Sequence, residues 1–172
     1  MNKIIKLLIA DDHAVVRKGI YNLFEDETEI EIVGEAENGQ IALERIKILM
    51  PDVVILDITM PIMNGIETAL AIAQQFPNVR SLIFSMHDNQ EYIVQSVENG
   101  ASGYLLKDTN KSEIMKAIKT VAEGNKYFPP HISSQIITVL LEKTKTKESN
   151  VSQIIKIKEL SKKENQILPL LA

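Results

Sequence analysis

A chain of 172 residues with 45% hydrophobic content is long enough for one full domain and a smaller second piece. It contains no Cys, which excludes disulfides, thiolate nucleophiles and Cys-based zinc sites and fits a reducing cytoplasm; no run approaches the roughly 20 apolar residues that span a bilayer. Charge is uneven: residues 1–127 carry 12 Lys and Arg against 19 Asp and Glu, a net of −7, whereas residues 128–172 carry 7 against 4, a net of +3, so any nucleic-acid contact belongs to the C-terminal end.

Short apolar runs alternate with helical patterns along the first 127 residues. The strand candidates are "IIKLLIA" (4–10), "EIVGEA" (31–36), "VVILD" (53–57), "RSLIFS" (80–85) and "GYLLK" (103–107). Between and after them, Val16, Ile20, Leu23 and Phe24 recur at helical spacing, as do Ile41, Leu43, Ile46 and Leu49, and then Ile114, Ala117, Ile118 and Val121. Five strand–helix units of this length predict an α/β fold, a doubly wound five-stranded parallel sheet covered on both faces. Beyond Tyr127 the texture changes. "FPPHISSQIITVLLEK" opens with two prolines and continues as an amphipathic helix through Ile132, Ile136, Val139 and Leu140. The polar "TKTKESNVSQ" (144–153) reads as a flexible linker. "LSKKENQILPLLA" (160–172) opens on Ser161-x-x-Glu164, a capping-box pattern that begins a new helix. Pro169 sits inside that helix, where a proline costs roughly 3 kcal/mol and bends or ends it. The predicted organisation is therefore a domain over 1–127, a helical and flexible linker over 128–159, and a helix fragment over 160–172.

Charged and polar residues end several of the strands. The first strand runs into Asp11-Asp12, the third into Asp57, the fourth into Ser85 and the fifth into Lys107. Doubly wound sheets bind ligands beyond the carboxyl ends of their strands, and in the 2-1-3-4-5 order the first and third strands are neighbours. Three converging carboxylates repel one another unless a cation joins them, and hard oxygen donors point to Mg²⁺. A carboxylate can attack phosphorus to give an aspartyl phosphate, with a metal, a lysine and a hydroxyl offsetting the charge that develops. Acids, a hydroxyl and a lysine at successive strand ends predict a phosphoryl-transfer site. No Gly-x-x-x-x-Gly-Lys or Gly-x-Gly-x-x-Gly motif is present, so a glycine-built nucleotide cradle is not expected.

The stretches "LLIADDH", "VVILDITMPIMNG", "LIFSMH" and "GYLLKD" resemble the receiver domain of bacterial two-component response regulators over about residues 3–124. The resemblance implies a flavodoxin-like fold in the 2-1-3-4-5 order and transfer of phosphate from the histidine of a sensor histidine kinase to Asp57. It further implies Mg²⁺ held by Asp12 directly, by Asp11 through water, by Asp57 and by the Thr59 backbone carbonyl. Lys107 would contact the phosphoryl group, while Ser85 and Tyr104 would form the switch pair. Such a protein catalyses only its own phosphotransfer and slow dephosphorylation. Asp108 stands where many receivers carry proline, a form similar to the NarL/FixJ subgroup with a LuxR-type helix-turn-helix output. That puts a cis peptide after Lys107 in doubt. "LSKKENQILPLLA" resembles the opening of that DNA-binding domain. The implied partners are the kinase, promoter DNA for the full-length protein but not for this chain alone, and a second copy on activation, in the cytoplasm with no membrane contact.

Other functions on a similar topology fit less well. Aspartyl-phosphate phosphohydrolases need a second acid two residues past the nucleophile, where this chain has Thr59, and place the nucleophile after the first strand. A flavin carrier needs a hydroxyl-rich loop after that strand, and Asp11-Asp12 would repel a flavin phosphate. A receiver acting only through protein contacts differs solely in its tail. His13 is assigned a surface or helix-start role, since Mg²⁺ favours oxygen, and His87 and His131 have no clustered partners. Gly65 is assigned to backbone geometry in the loop after Asp57.

Overall fold

The computed structural model describes residues 3–167, with side chains to residue 163. Residues Met1–Ser133 form one compact unit and Ser134–Ala172 a second. In the first, five strands and five helices alternate. They are β1 (Ile5–Ala10), α1 (Ala14–Phe24), β2 (Ile30–Ala36), α2 (Gly39–Leu49), β3 (Val53–Leu56), α3 (Gly65–Gln75), β4 (Arg80–Ser85), α4 (Gln90–Glu98), β5 (Gly103–Leu106) and α5 (Lys111–Ala122). All pairings are parallel, and the sheet order is β2-β1-β3-β4-β5, the doubly wound order expected from the sequence.

The central strands are buried on both faces, which is why β3 reads as an unbroken apolar run rather than an alternation. On one face Leu7, Ile9, Val53, Ile55, Leu82, Phe84 and Leu105 pack with Ile20 and Phe24 of α1 and with Ile114, Ala117, Ile118 and Val121 of α5. The alternate residues Leu8, Val54, Leu56 and Ile83 point to the other face, where α2 and α3 supply the buried Ile46 and Ile72. The edge strand β2 carries a bulge: Leu7 pairs with Ile32 but Leu8 with Gly34, leaving Val33 as the extra residue. A side chain at Gly34 would meet Leu49 Cδ1 at 2.7 Å, so that leucine of α2 would have to turn aside.

Polar side chains close the helix starts. Asn38, Asn64 and Asn110 each accept a hydrogen bond from a backbone amide three residues on, and the Glu67 carboxylate accepts from the Asn64 amide to complete a capping box.

The long helix α6 spans Pro130–Ile167. Its first turn lies in the first unit, with Ile132 fully buried. The stretch 144–153, expected as a flexible linker, is instead helical throughout, and Ser161 lies within the helix rather than at its start. No glycine or proline interrupts residues 131–168, and Lys, Glu and Gln are good helix formers. The Ser and Thr hydroxyls that could break the helix bond back to carbonyls one turn earlier, as Thr144 does to Leu140 at 2.8 Å and Thr146 to Glu142 at 2.9 Å. Pro169 and the rest of 168–172, part of the predicted helix fragment, lie outside the described residues. Among the described residues there is no cis peptide, and no helix is long and apolar enough to cross a membrane.

Candidate functional site

Backbone pairing delivers three of the residues singled out in the sequence to one edge of the sheet. The Asp11 amide donates to the Ala36 carbonyl at 3.0 Å, the Asp57 amide to Ala10 at 2.8 Å and the Lys107 amide to Ser85 at 3.0 Å. Each bond extends the parallel ladder one residue past its strand. The apolar residues just before them are anchored in the core, so the register of β1, β3 and β5 dictates where these side chains emerge.

There the side chains meet. Lys107 Nζ lies 2.7 Å from Asp11 Oδ2 and 3.0 Å from Asp57 Oδ1. Both carboxylates are only 2% exposed. The second Asp57 oxygen accepts from the Thr59 hydroxyl at 3.2 Å. Asp11 Oδ1 accepts from the His13 amide at 2.8 Å. The His13 ring then brings Nδ1 to 2.8 Å from Asp12 Oδ1 and 3.2 Å from Asp11 Oδ1. Arg17, close by, donates instead to the Asp11 carbonyl at 2.8 Å and pairs with Glu35 at 3.2 Å.

One ammonium faces three carboxylates, so negative charge is in excess. Burial pushes the Asp57 carboxyl above its ordinary value; Lys107 opposes this, and the Asp11 charge adds to it. Burial works against the Lys107 charge, but its hydrogen bonds to Asp11 and Asp57 more than compensate and hold it above the usual lysine value. Ligand atoms of Asp11, Asp12, His13 and Asp57 all lie within 4.8 Å of one another. Clustered carboxylate oxygens with unneutralised charge suit a hard divalent cation such as Mg²⁺, which takes one or two carboxylates and keeps several waters. The imidazole is the one group in the set that Mg²⁺ does not favour. His87 and His131 have no place in it.

Ser85 and Tyr104 are both fully buried and belong to a second, linked arrangement on adjacent strands. Ser85 Oγ accepts from the His87 amide at 3.1 Å. Tyr104 in turn donates to the His87 carbonyl at 2.6 Å. Burial pushes the Tyr104 hydroxyl up to about 12, which keeps it a neutral donor. The pair thus ties the end of β4 and its following loop to β5.

The loop after Asp57 closes through Gly65, whose amide donates to the Ile58 carbonyl at 2.9 Å. A Cβ there would fall 2.0 Å from the Asp57 carbonyl oxygen. Gly65 therefore does serve loop geometry, through close approach to the Asp57 backbone rather than through a positive φ. The sequence had offered only the Thr59 carbonyl and a surface or helix-start role for His13. The Thr59 hydroxyl on Asp57 and the His13 ring beside Asp12 were not anticipated, although the "DDH" adjacency was the available signal for the second. His13 does begin α1, with its side chain 64% exposed.

Residues 7–119 match the family model described as the response regulator receiver domain. The chain is 37% identical over 133 residues to the transcriptional regulatory protein DegU of Brevibacillus brevis, covering 77% of this chain and 56% of that protein. It is 34% identical over 168 residues to the oxygen regulatory protein NreC of Staphylococcus carnosus (strain TM300), covering 97% of this chain and 76% of that protein. A solved signal receiver domain, from the putative response regulator NarL of Mycobacterium tuberculosis, shares the fold with a TM-score of 0.69 and 36% identity, over 72% of this chain and 99% of that one. The chain thus spans little more than half the length of the first of these relatives and about three quarters of the second.

Proposed function

We propose that this chain, a member of the response regulator receiver family, accepts a phosphoryl group on Asp57 from the phosphohistidine of a sensor kinase and uses it to switch a transcriptional output. The observation that carries this reading is the sharing of the Lys107 ammonium between Asp11 and Asp57, at 2.7 and 3.0 Å, in a buried pocket.

In the reaction an Asp57 carboxylate oxygen attacks phosphorus. The O–P bond forms as the donor N–P bond breaks, and the electron pair returns to the kinase imidazole. Lys107 moves from its two carboxylates to pair with the transferred oxygens, which relieves the loss of its Asp57 contact. The Thr59 hydroxyl orients the second carboxylate oxygen. Asp11, Asp12, Asp57 and the Thr59 carbonyl would hold Mg²⁺, which when bound offsets charge on the carboxylates and the phosphoryl oxygens.

Ser85 then turns its hydroxyl toward the new phosphoryl oxygens. It gives up its bond from the His87 amide, and once Tyr104 also leaves the His87 carbonyl the β4–α4 loop is released into its alternative arrangement. DNA binding by a helix-turn-helix output, dimerisation on activation and a cytoplasmic location are proposals for the whole protein, supported by relatives named as transcriptional and oxygen regulatory proteins. The chain itself works as a phosphoacceptor in signalling, not as an enzyme on a separate substrate.

The test is intact-mass measurement after incubation with acetyl phosphate, with and without Mg²⁺. One added phosphoryl group that requires Mg²⁺ supports the reading; no addition, or addition indifferent to the metal, contradicts it.

A further inference from the structure

His13 occupies the N-cap position of α1, yet its side chain makes no capping hydrogen bond. Helix starts favour Ser, Thr, Asp or Asn because their short side chains satisfy a free amide. The His13 carbonyl accepts from Val16 and Arg17 at 3.1 and 3.2 Å, the ordinary first bonds of the helix. The imidazole is turned away from helix capping and toward the carboxylates, with Nδ1 2.8 Å from Asp12 Oδ1 and 3.2 Å from Asp11 Oδ1.

We infer that His13 is a positioning residue for the cation: its main-chain amide fixes Asp11 and its ring fixes Asp12, so that the two carboxylates are preset for a divalent ion. This rests on reading Asp11, Asp12 and Asp57 as the Mg²⁺-assisted acceptor site. Asp11 is already held by Lys107 on Oδ2 and by the His13 amide on Oδ1. Asp12 is different. It lies at the surface, its side chain 32% exposed, and the His13 ring nitrogen lies 2.8 Å from its Oδ1. With Nδ1 turned to Asp12 Oδ1, the ring leaves Oδ2 of that carboxylate for the ion. Hydrogen-bond partners that orient ligating carboxylates typically change metal affinity by 10–100-fold when removed.

The experiment is a Mg²⁺ titration of the whole chain without phosphodonor, followed by amide NMR shifts at residues 10–13 and 57–59, on the parent, His13→Ala and His13→Asn. Asparagine keeps a side-chain donor at about the Nδ1 position and is a good N-cap. His13→Ala should bind Mg²⁺ about 10-fold more weakly, and His13→Asn should recover most of that loss. Metal-free thermal unfolding of the three proteins checks that each is folded. Equal affinities for the parent and His13→Ala would overturn the inference while leaving the acceptor site intact, as would a loss that asparagine fails to recover. A parent protein that binds no Mg²⁺ would instead remove the reading of the site itself.

Discussion

Gly65→Ala tests whether the loop after Asp57 is built to place that carboxylate. The added Cβ would lie 2.0 Å from the Asp57 carbonyl oxygen, 2.8 Å from its carbonyl carbon and 3.0 Å from Ile58 Cα. All three are main-chain atoms, so no side chain can rotate away. Reaching an ordinary contact requires a displacement of about 1 Å, either of the first turn of α3 or of Asp57 itself. The Asp57 amide is tied to β1 at 2.8 Å, so the strain is shared between the loop and the reacting residue. Overpacking of this kind costs about 1–3 kcal/mol of stability, and a 1 Å misplacement of a reacting group lowers a rate by about 10²-fold. Gly19, in α1, supplies the control, because a Cβ there meets nothing within 4 Å. Gly19→Ala should raise stability by about 0.5–1 kcal/mol through helix propensity and leave labelling unchanged. Urea unfolding gives the stabilities, and the rate of acetyl phosphate labelling by mass gives the chemistry. A Gly65→Ala protein of parental stability and labelling rate would refute the argument, as would a Gly19→Ala protein equally impaired.

Asp57→Asn should stabilise the metal-free protein at neutral pH, because a carboxyl raised by burial costs stability as pH rises from its ordinary 3.8 through the folded value, a cost fully present at neutral pH; a lower midpoint in thermal unfolding would contradict this. Added Mg²⁺ should stabilise the parent by about 2.7 kcal/mol at 100 times its dissociation constant, and Asp57→Asn by clearly less; equal gains in thermal scans would exclude Asp57 as a ligand. The Asp52 carboxyl is opposed by burial but held below its ordinary 3.8 by Lys3 and the Lys6 amide, so its stabilising effect is complete above that pH and fades as pH falls through the lower folded value. Urea unfolding of parent and Asp52→Asn across pH should show a stability gap that closes in acid, and a gap that widens there would be contrary. Ser85→Ala should still label at Asp57 but lose much of the phosphorylation-dependent NMR change around the β4–α4 loop; a parental spectral response would count against the switch.

The sequence made the sheet readable because the buried strands are short apolar runs of four to seven residues whose ends are marked by charge or by glycine. Asp57 and Lys107 stood out for the same reason: each breaks a run that has no other polar residue near its end. The expected strands ended on these residues, whereas β3 and β5 stop one residue earlier, at Leu56 and Leu106. The side-chain details were beyond reach. Whether the His13 ring caps a helix or lies on Asp12 is a rotamer outcome, fixed by the loop between β1 and α1. The Thr59 hydroxyl meets Asp57 only because the chain turns after Ile58, and the close approach at Gly65 depends on the same turn. Residues 144–153 misled for another reason. A polar run without glycine or proline has the hydropathy of a linker yet nothing that breaks a helix, and its Thr hydroxyls find partners in carbonyls one turn back.

The central claim is that Asp57, and no other carboxylate in the cluster, takes the phosphoryl group. Borohydride reduces an aspartyl phosphate to homoserine and so marks the acceptor. After labelling with acetyl phosphate and Mg²⁺, reduction and peptide mass mapping should find homoserine at position 57, dependent on both reagents, and none at Asp11 or Asp12. Homoserine at Asp11 or Asp12, or its absence from position 57 in a sample whose intact mass shows the added phosphoryl group, would contradict the account.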